Sequence, residues 1–434
     1  MADLHDSNLH CSFCGVEKSA QVPLISGNEG RICEACVQLA HQVVSSWGQR
    51  RKNMQTLPRL RHPAAIKKHL DEYVIGQDKA KKVLALAVFN HYLRMMHHDK
   101  PFCQQQEHVE LEKSNMLLLG PSGSGKTLMV RSLAQMLGVP FAMSDATSLT
   151  QAGYVGEDVE SIVQRLLEAA AGDIQLAQWG IVYIDEIDKI AKRHGPSSSV
   201  RDISGEGVQQ ALLKMVEGTV LRLPKSGRRR EGGEEVSLDT THVLFIVGGA
   251  FTGLETVVNE RLNIHKGIGF QATPRGAWSG DTASQSLDSL TPEDLQKYGL
   301  IPEFIGRFPV TAILNDLVQD DLIRILTQPR NALVKQYKKL FALQQAELVV
   351  TNDALEFIAQ TSLEHGTGAR GLRTVMESAL HDTMFCLSPG EGPVRCVLDA
   401  VILDEETTSL QVNVTPAQVS KEEGELVSRA EWMS

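Results

Sequence analysis

The stretch Asn115-Met-Leu-Leu-Leu-Gly-Pro-Ser-Gly-Ser-Gly-Lys-Thr127 constrains the fold more than any other part of the chain. Its short apolar run reads as a buried strand, and the turn that follows has the spacing G-x-x-x-x-G-K-T. Gly120, Gly123 and Gly125 let backbone N–H groups turn inward around phosphate oxygens without Cβ clashes. Lys126 supplies a point charge for the β- and γ-phosphates, and Thr127 a hydroxyl for Mg2+. Leu128 to Leu137 has helical spacing, which places the phosphates at a helix N-terminus. Strand, glycine-rich turn and helix in that order predict a nucleotide site.

A second string, Gly180-Ile-Val-Tyr-Ile-Asp-Glu-Ile-Asp188, is an apolar strand ending in adjacent carboxylates, with Asp185 following Lys126 by 59 residues. Alternation along a strand sends Asp185 and Glu186 to opposite faces. On that reading Asp185 holds the Mg2+ shell and Glu186 polarises an attacking water. Val139 to Met143 and Thr241 to Val247 read as further strands. Strands alternating with helices over residues 115–250 are the pattern of a parallel α/β sheet with right-handed crossovers.

Four of the seven cysteines fall in two C-x2-C pairs, Cys11/Cys14 and Cys33/Cys36, separated by an eighteen-residue gap. Two such knuckles complete a tetrahedral four-thiolate site that suits Zn2+ and leaves no position for a catalytic water. A module this small has too little core to fold without the metal. Val37 to Trp47 reads as an amphipathic helix closing it. The N-terminus has neither a basic n-region nor an apolar h-region, and no run approaches the roughly 18 apolar residues of a membrane span. The expectation is a cytoplasmic protein without membrane contact. A net charge of −10 speaks against a chain-wide nucleic-acid surface.

Several segments read two ways on their residues alone. Val74 and Ile75, before Gly76, form either an adenine wall or a packed turn between helices. Tyr154 and Val155, between Gly153 and Gly156, are either a gripping loop or a tight turn with a buried tyrosine. Arg228, Arg229 and Arg230 form a compact positive cluster in an exposed loop. Ile268, Gly269 and Phe270 are an apolar tripeptide in a polar stretch, either a docking plug or isolated surface residues. Arg307 and Arg370 sit beside glycines, where each serves a phosphate or a structural ion pair. After Leu300–Pro309 the chain reads as mostly helical to about residue 388. Two short strands follow, Ala400–Leu403 and Leu410–Val414, and then an acidic tail.

Taken together, the four-cysteine module, Tyr73-Val-Ile-Gly-Gln77, GPSGSGKT, GYVG, YIDEIDK, SGEGVQQALLK, IGF, LIPEFIGR and GTGARGLR resemble the ClpX family, zinc-containing AAA+ unfoldases of the Clp protease. The resemblance spans nearly the whole chain and weakens in residues 97–112, 220–240 and 390–434. It implies a zinc module (1–47), a linker (48–63), a large AAA+ parallel-sheet ATPase domain (64–314), a small, mainly helical AAA+ domain (315–420) and a disordered tail (421–434). It further implies that Val74 and Ile75 contact adenine, that Tyr154 and Val155 grip polypeptide in an axial pore, and that Ile268 to Phe270 dock on the ClpP peptidase. Arg307 would reach the neighbouring subunit's ATP and Arg370 would act as the sensor-2 arginine, in a ring homohexamer. The zinc module would dimerise and recruit adaptors and protein substrates. The family's Arg-Lys-His pore-entrance loop stands here as Arg228-Arg229-Arg230, which keeps positive charge and alters the recognition chemistry. A peptidase-independent remodeller and a zinc-containing nucleic-acid motor are the rival functions.

Overall fold

The computed structural model describes residues 10–19, 22–27, 30–40, 60–97, 111–150, 157–191, 205–224, 235–264, 287–387, 394–404 and 407–416. The chain divides into two compact units, residues 1–59 and 60–434. In the first, strands Leu24–Ser26 and Arg31–Cys33 form an antiparallel hairpin, and residues 34–40 are helical. Cys11 and Cys33 are the only buried apolar side chains among the described residues of this unit. Two thiols are no hydrophobic core, so the described residues of this unit offer little apart from a metal site to hold them together.

The second unit is built on five parallel strands: β1 (Met116–Leu119), β2 (Phe141–Asp145), β3 (Ile181–Asp185), β4 (Leu244–Gly249) and β5 (Val310–Ile313). Their order across the sheet is β5-β1-β4-β3-β2. The strands read as unbroken apolar runs because both faces are covered, and alternate side chains feed opposite layers. Met116, Leu118, Ile181, Tyr183, Leu244 and Ile246 pack with helices α1 (Pro63–Tyr73), α2 (Asp78–His97) and α3 (Lys126–Leu137). Leu117, Leu119, Val182, Ile184, Phe245 and Val247 pack on the other side with Ile162, Leu166, Leu212 and Phe304.

Strand β5 lies inside the stretch expected to be mostly helical. Its register, Val310 opposite Met116, is set by a partner far away in sequence, and four residues after Pro309 carry no periodicity of their own. The strand Ala346–Val350 lies inside the same stretch. It pairs in parallel with Val394–Asp404, which pairs antiparallel with Thr407–Pro416, and both of these are longer than the runs read from sequence. Helices Gln319–Thr327, Leu333–Leu343, Asn352–Glu364 and α4 (Ala369–Cys386) pack with that sheet around Leu322, Phe341, Ile358, Met376 and Leu398.

Candidate nucleotide and metal sites

The turn after β1 brings three parts of the fold together, and each glycine admits a different neighbour. A Cβ on Gly120 would stand 2.7 Å from the Leu314 carbonyl oxygen, just beyond β5. One on Gly123 (φ +81°) would stand 3.0 Å from the Thr367 carbonyl oxygen and 3.1 Å from the Ala369 nitrogen, where α4 begins. Gly125 (φ +101°) caps α3, with Val74 Cγ1 at 3.5 Å from its Cβ position. The loop therefore touches the β5 exit, the α4 start and the Val74 corner at once.

Lys126 Nζ donates to the carbonyls of Gly120 (2.6 Å) and Pro121 (2.9 Å). Burial lowers its pKa, while Asp185 and Asp188 act in the opposite direction. Its ammonium thus already sits within the loop that phosphates would fill. Thr127 Oγ1 donates to Asp185 Oδ2 at 2.9 Å, joining the two motifs. A hydroxyl and a carboxylate in contact are the hard oxygen ligands Mg2+ takes beside nucleotide phosphates.

Glu186 corrects the alternation argument. β3 ends at Asp185, and Glu186 adopts φ +56°, ψ +32°, its N–H donating to Asp185 Oδ1 at 3.0 Å. The backbone turns left-handed at Glu186, a costly conformation for a non-glycine residue, so strand alternation does not extend to it.

Of the two arginines, Arg370, on the first turn of α4, donates to Ser122 Oγ at 3.2 Å and so stands at the P-loop of its own chain. Arg307 instead pairs with Glu217 at 2.8 Å, and its side chain is 54% exposed. Val74 and Ile75 are buried. Tyr154, Val155, Arg228, Arg229, Arg230, Ile268, Gly269 and Phe270 lie outside the described residues. The arginine triplet falls between the paired strands Val220–Pro224 and Glu235–Asp239.

Two residues here were not singled out from sequence. Asn115, 2% exposed, accepts from the Phe245 N–H at 3.2 Å and donates to the Arg307 carbonyl at 3.1 Å. Asp188 accepts from the Ala250 N–H at 3.1 Å, tying the carboxylate turn to the end of β4. Both act on partners more than sixty residues away in sequence, which no local spacing reveals. Asn115→Ala is expected to lower stability by about 1–3 kcal/mol, because it orphans a buried N–H and a carbonyl. Chemical denaturation with ATPase recovery measured alongside checks this.

In the zinc unit the four sulfurs of Cys11, Cys14, Cys33 and Cys36 all lie within 4.8 Å of one another, and Cys14 Sγ to Cys33 Sγ is 3.6 Å. A tetrahedron with Zn–S bonds of about 2.3 Å has S–S edges of about 3.8 Å, so the set fits the ion. Burial raises the Cys11 thiol, but backbone hydrogen bonds at Cys14, Cys33 and Phe13 bring it down to about 6. Cys36 is pushed up to about 12, first by its hydrogen bond to Cys14. Four thiolates this close need a dication between them.

This geometry defines a P-loop ATPase of the AAA+ class carrying a four-cysteine zinc module, with ATP, Mg2+ and Zn2+ as its cofactors. Residues 111–311 match the family described as "AAA domain (Cdc48 subfamily)", residues 9–46 "ClpX C4-type zinc finger" and residues 317–387 "C-terminal, D2-small domain, of ClpB protein". The chain is 62% identical over 405 residues to the ATP-dependent Clp protease ATP-binding subunit ClpX of Azotobacter vinelandii, covering 93% of this chain and 91% of that one. It is 52% identical to "ClpX 3" of Methylococcus capsulatus (91% and 92% covered) and 45% identical to ClpX of Borrelia duttonii (94% and 92%). The chain belongs to the ClpX family of Clp protease ATP-binding subunits. No helix among the described residues is long and apolar enough to cross a membrane.

Proposed function

We propose that the protein is an ATP-driven unfoldase and translocase that works as a ring homohexamer and feeds protein substrates to the ClpP peptidase. One observation carries the ring: Arg370 reaches the P-loop of its own chain, whereas the Arg307 guanidinium is exposed and pairs only with Glu217 among the described contacts. An exposed ion pair of this kind contributes only about 0–1 kcal/mol, so it is easily exchanged for a phosphate. Arg307 then completes the ATP site of a neighbouring subunit, as arginine fingers do.

Within that site Gly120, Gly123, Gly125 and Lys126 bind the phosphates, Thr127 and Asp185 hold Mg2+, and Glu186 accepts the proton of the attacking water. Val74 and Ile75 wall the adenine, and Arg370 reports the nucleotide state to the small domain. Tyr154 and Val155 grip the substrate, Arg228 to Arg230 attract negatively charged chain termini, and Ile268 to Phe270 dock on the peptidase. The zinc module recruits substrates and adaptors. The working divisions are residues 1–47, 48–63, 64–314, 315–420 and 421–434, in the cytoplasm. Phe270→Ala is expected to abolish degradation of an unfoldable substrate by added ClpP while ATP turnover persists. Degradation at the unmodified rate would remove the peptidase from the account and favour a remodeller acting alone.

A further inference from the structure

Behind the Val74–Ile75 corner stands a buried cation that belongs to none of the nucleotide motifs. Lys81, on the first turn of α2, is 2% exposed. Its Nζ donates to the Val74 carbonyl at 2.6 Å and to Asp71 Oδ1 at 2.8 Å. The other oxygen of Asp71 takes Lys67 at 2.8 Å, and Lys67 reaches Asp78 at 2.7 Å. Lys67 and Lys81 hold the Asp71 carboxyl below its ordinary range although burial acts to raise it. The end of α1 and the start of α2 are thereby stitched together on both sides of the corner.

Enclosing an ammonium is costly unless it is paired and hydrogen-bonded, and a methionine would fill the same volume without that cost. What the ammonium adds is direction. A trans peptide is planar, with its C=O and N–H pointing opposite ways. Because Lys81 draws the Val74 carbonyl toward α2, the N–H of Ile75 points away from α2. That N–H has no hydrogen-bond partner among the described residues, although Ile75 is only 7% exposed. A donor on a buried residue with no partner among the described residues is rare, and here it belongs to the peptide following Val74, whose side chain lies against Gly125 of the phosphate loop.

We propose that Lys81 is a positioning residue of the ATP site. It locks the Val74–Ile75 peptide so that the Ile75 N–H is presented to the purine edge, where it meets a ring acceptor, adenine N1, and rejects the N1–H donor of guanine. The proposal rests on Val74 and Ile75 walling the base, and the experiment separates the two ideas. Steady-state kinetics with ATP and with GTP on the full-length assembly compare Lys81→Met, Lys81→Gln and Val74→Ala. Lys81→Met, which fills the space without a donor, is expected to raise KM for ATP about tenfold with kcat within about twofold, and to narrow the ATP-over-GTP preference about tenfold. Lys81→Gln, which keeps an N–H donor for the Val74 carbonyl, is expected to restore most of both.

If Val74→Ala raises KM and Lys81→Met does not, the positioning role is wrong while the base wall stands. If Val74→Ala leaves KM unchanged, the wall itself is wrong and the proposal falls with it. If Met and Gln variants lose kcat and thermal stability equally, with selectivity unchanged, Lys81 is only structural. Should Lys81→Met fail to fold, Asp71→Ala releases the ammonium's second anchor and decides instead. A rise of about threefold in KM for ATP at unchanged kcat is then expected, and no rise overturns the proposal.

Discussion

Glu186→Gln is expected to lower ATP hydrolysis by about 10²–10⁴-fold while ATP binding changes by no more than a few fold. Thr127 and Asp185 are joined at 2.9 Å and Lys126 lies inside the phosphate loop, so binding and metal coordination do not need Glu186. Its backbone turns left-handed just past the strand that ends at Asp185. Glutamine keeps the shape and the conformation and loses only the capacity to take a proton. Single-turnover hydrolysis and equilibrium nucleotide binding, measured on the same preparation, check both halves. Hydrolysis that survives would assign the proton to another group, and the buried Asp188 would be the next carboxylate to test.

Removal of Zn2+ from the full-length chain is expected to unfold residues 10–40 and leave ATP hydrolysis largely intact. The metal supplies the stability that Cys11 and Cys33, the only buried apolar residues described there, do not. Structural zinc binding contributes about 10–16 kcal/mol near neutral pH, far more than a short hairpin offers. Hydrogen exchange before and after chelation should show protection lost across Leu24–Ser26 and Arg31–Cys33 and retained in the five-stranded sheet. Protection that outlasts complete zinc loss would show that the module has another source of stability.

What was legible in the sequence was the chemistry set by local spacing. The phosphate loop, the Asp185–Glu186 pair and the two C-x2-C knuckles each place their groups within a few residues, so a strand or turn dictates the geometry. What escaped was set at a distance. β5 exists because Val310 to Ile313 complete the ladder beside β1, and nothing within those four residues announces it. Gln77, with φ +59°, exchanges two 2.9 Å hydrogen bonds with the backbone of Asn315, 238 residues on, and so ties the Val74 corner to the segment beyond β5. Asn115 was visible only as the first residue of a motif, yet its amide joins β1 to β4 and to Arg307. Strand alternation does not govern Glu186, because the backbone turns left-handed one residue past the end of β3.

Mixed rings test most directly whether a working ATP site is assembled from two subunits. Lys126→Ala removes the phosphate-binding charge but leaves Arg307 intact, and Arg307→Ala does the reverse. Each variant alone is expected to be inactive as an ATPase. Mixed in equal amounts before assembly, they should recover turnover, because roughly a quarter of random interfaces pair an intact phosphate loop with an intact arginine. Recovery at that order supports the shared site. Full activity of Arg307→Ala alone, or no recovery in mixtures shown to form hybrid rings, would contradict it.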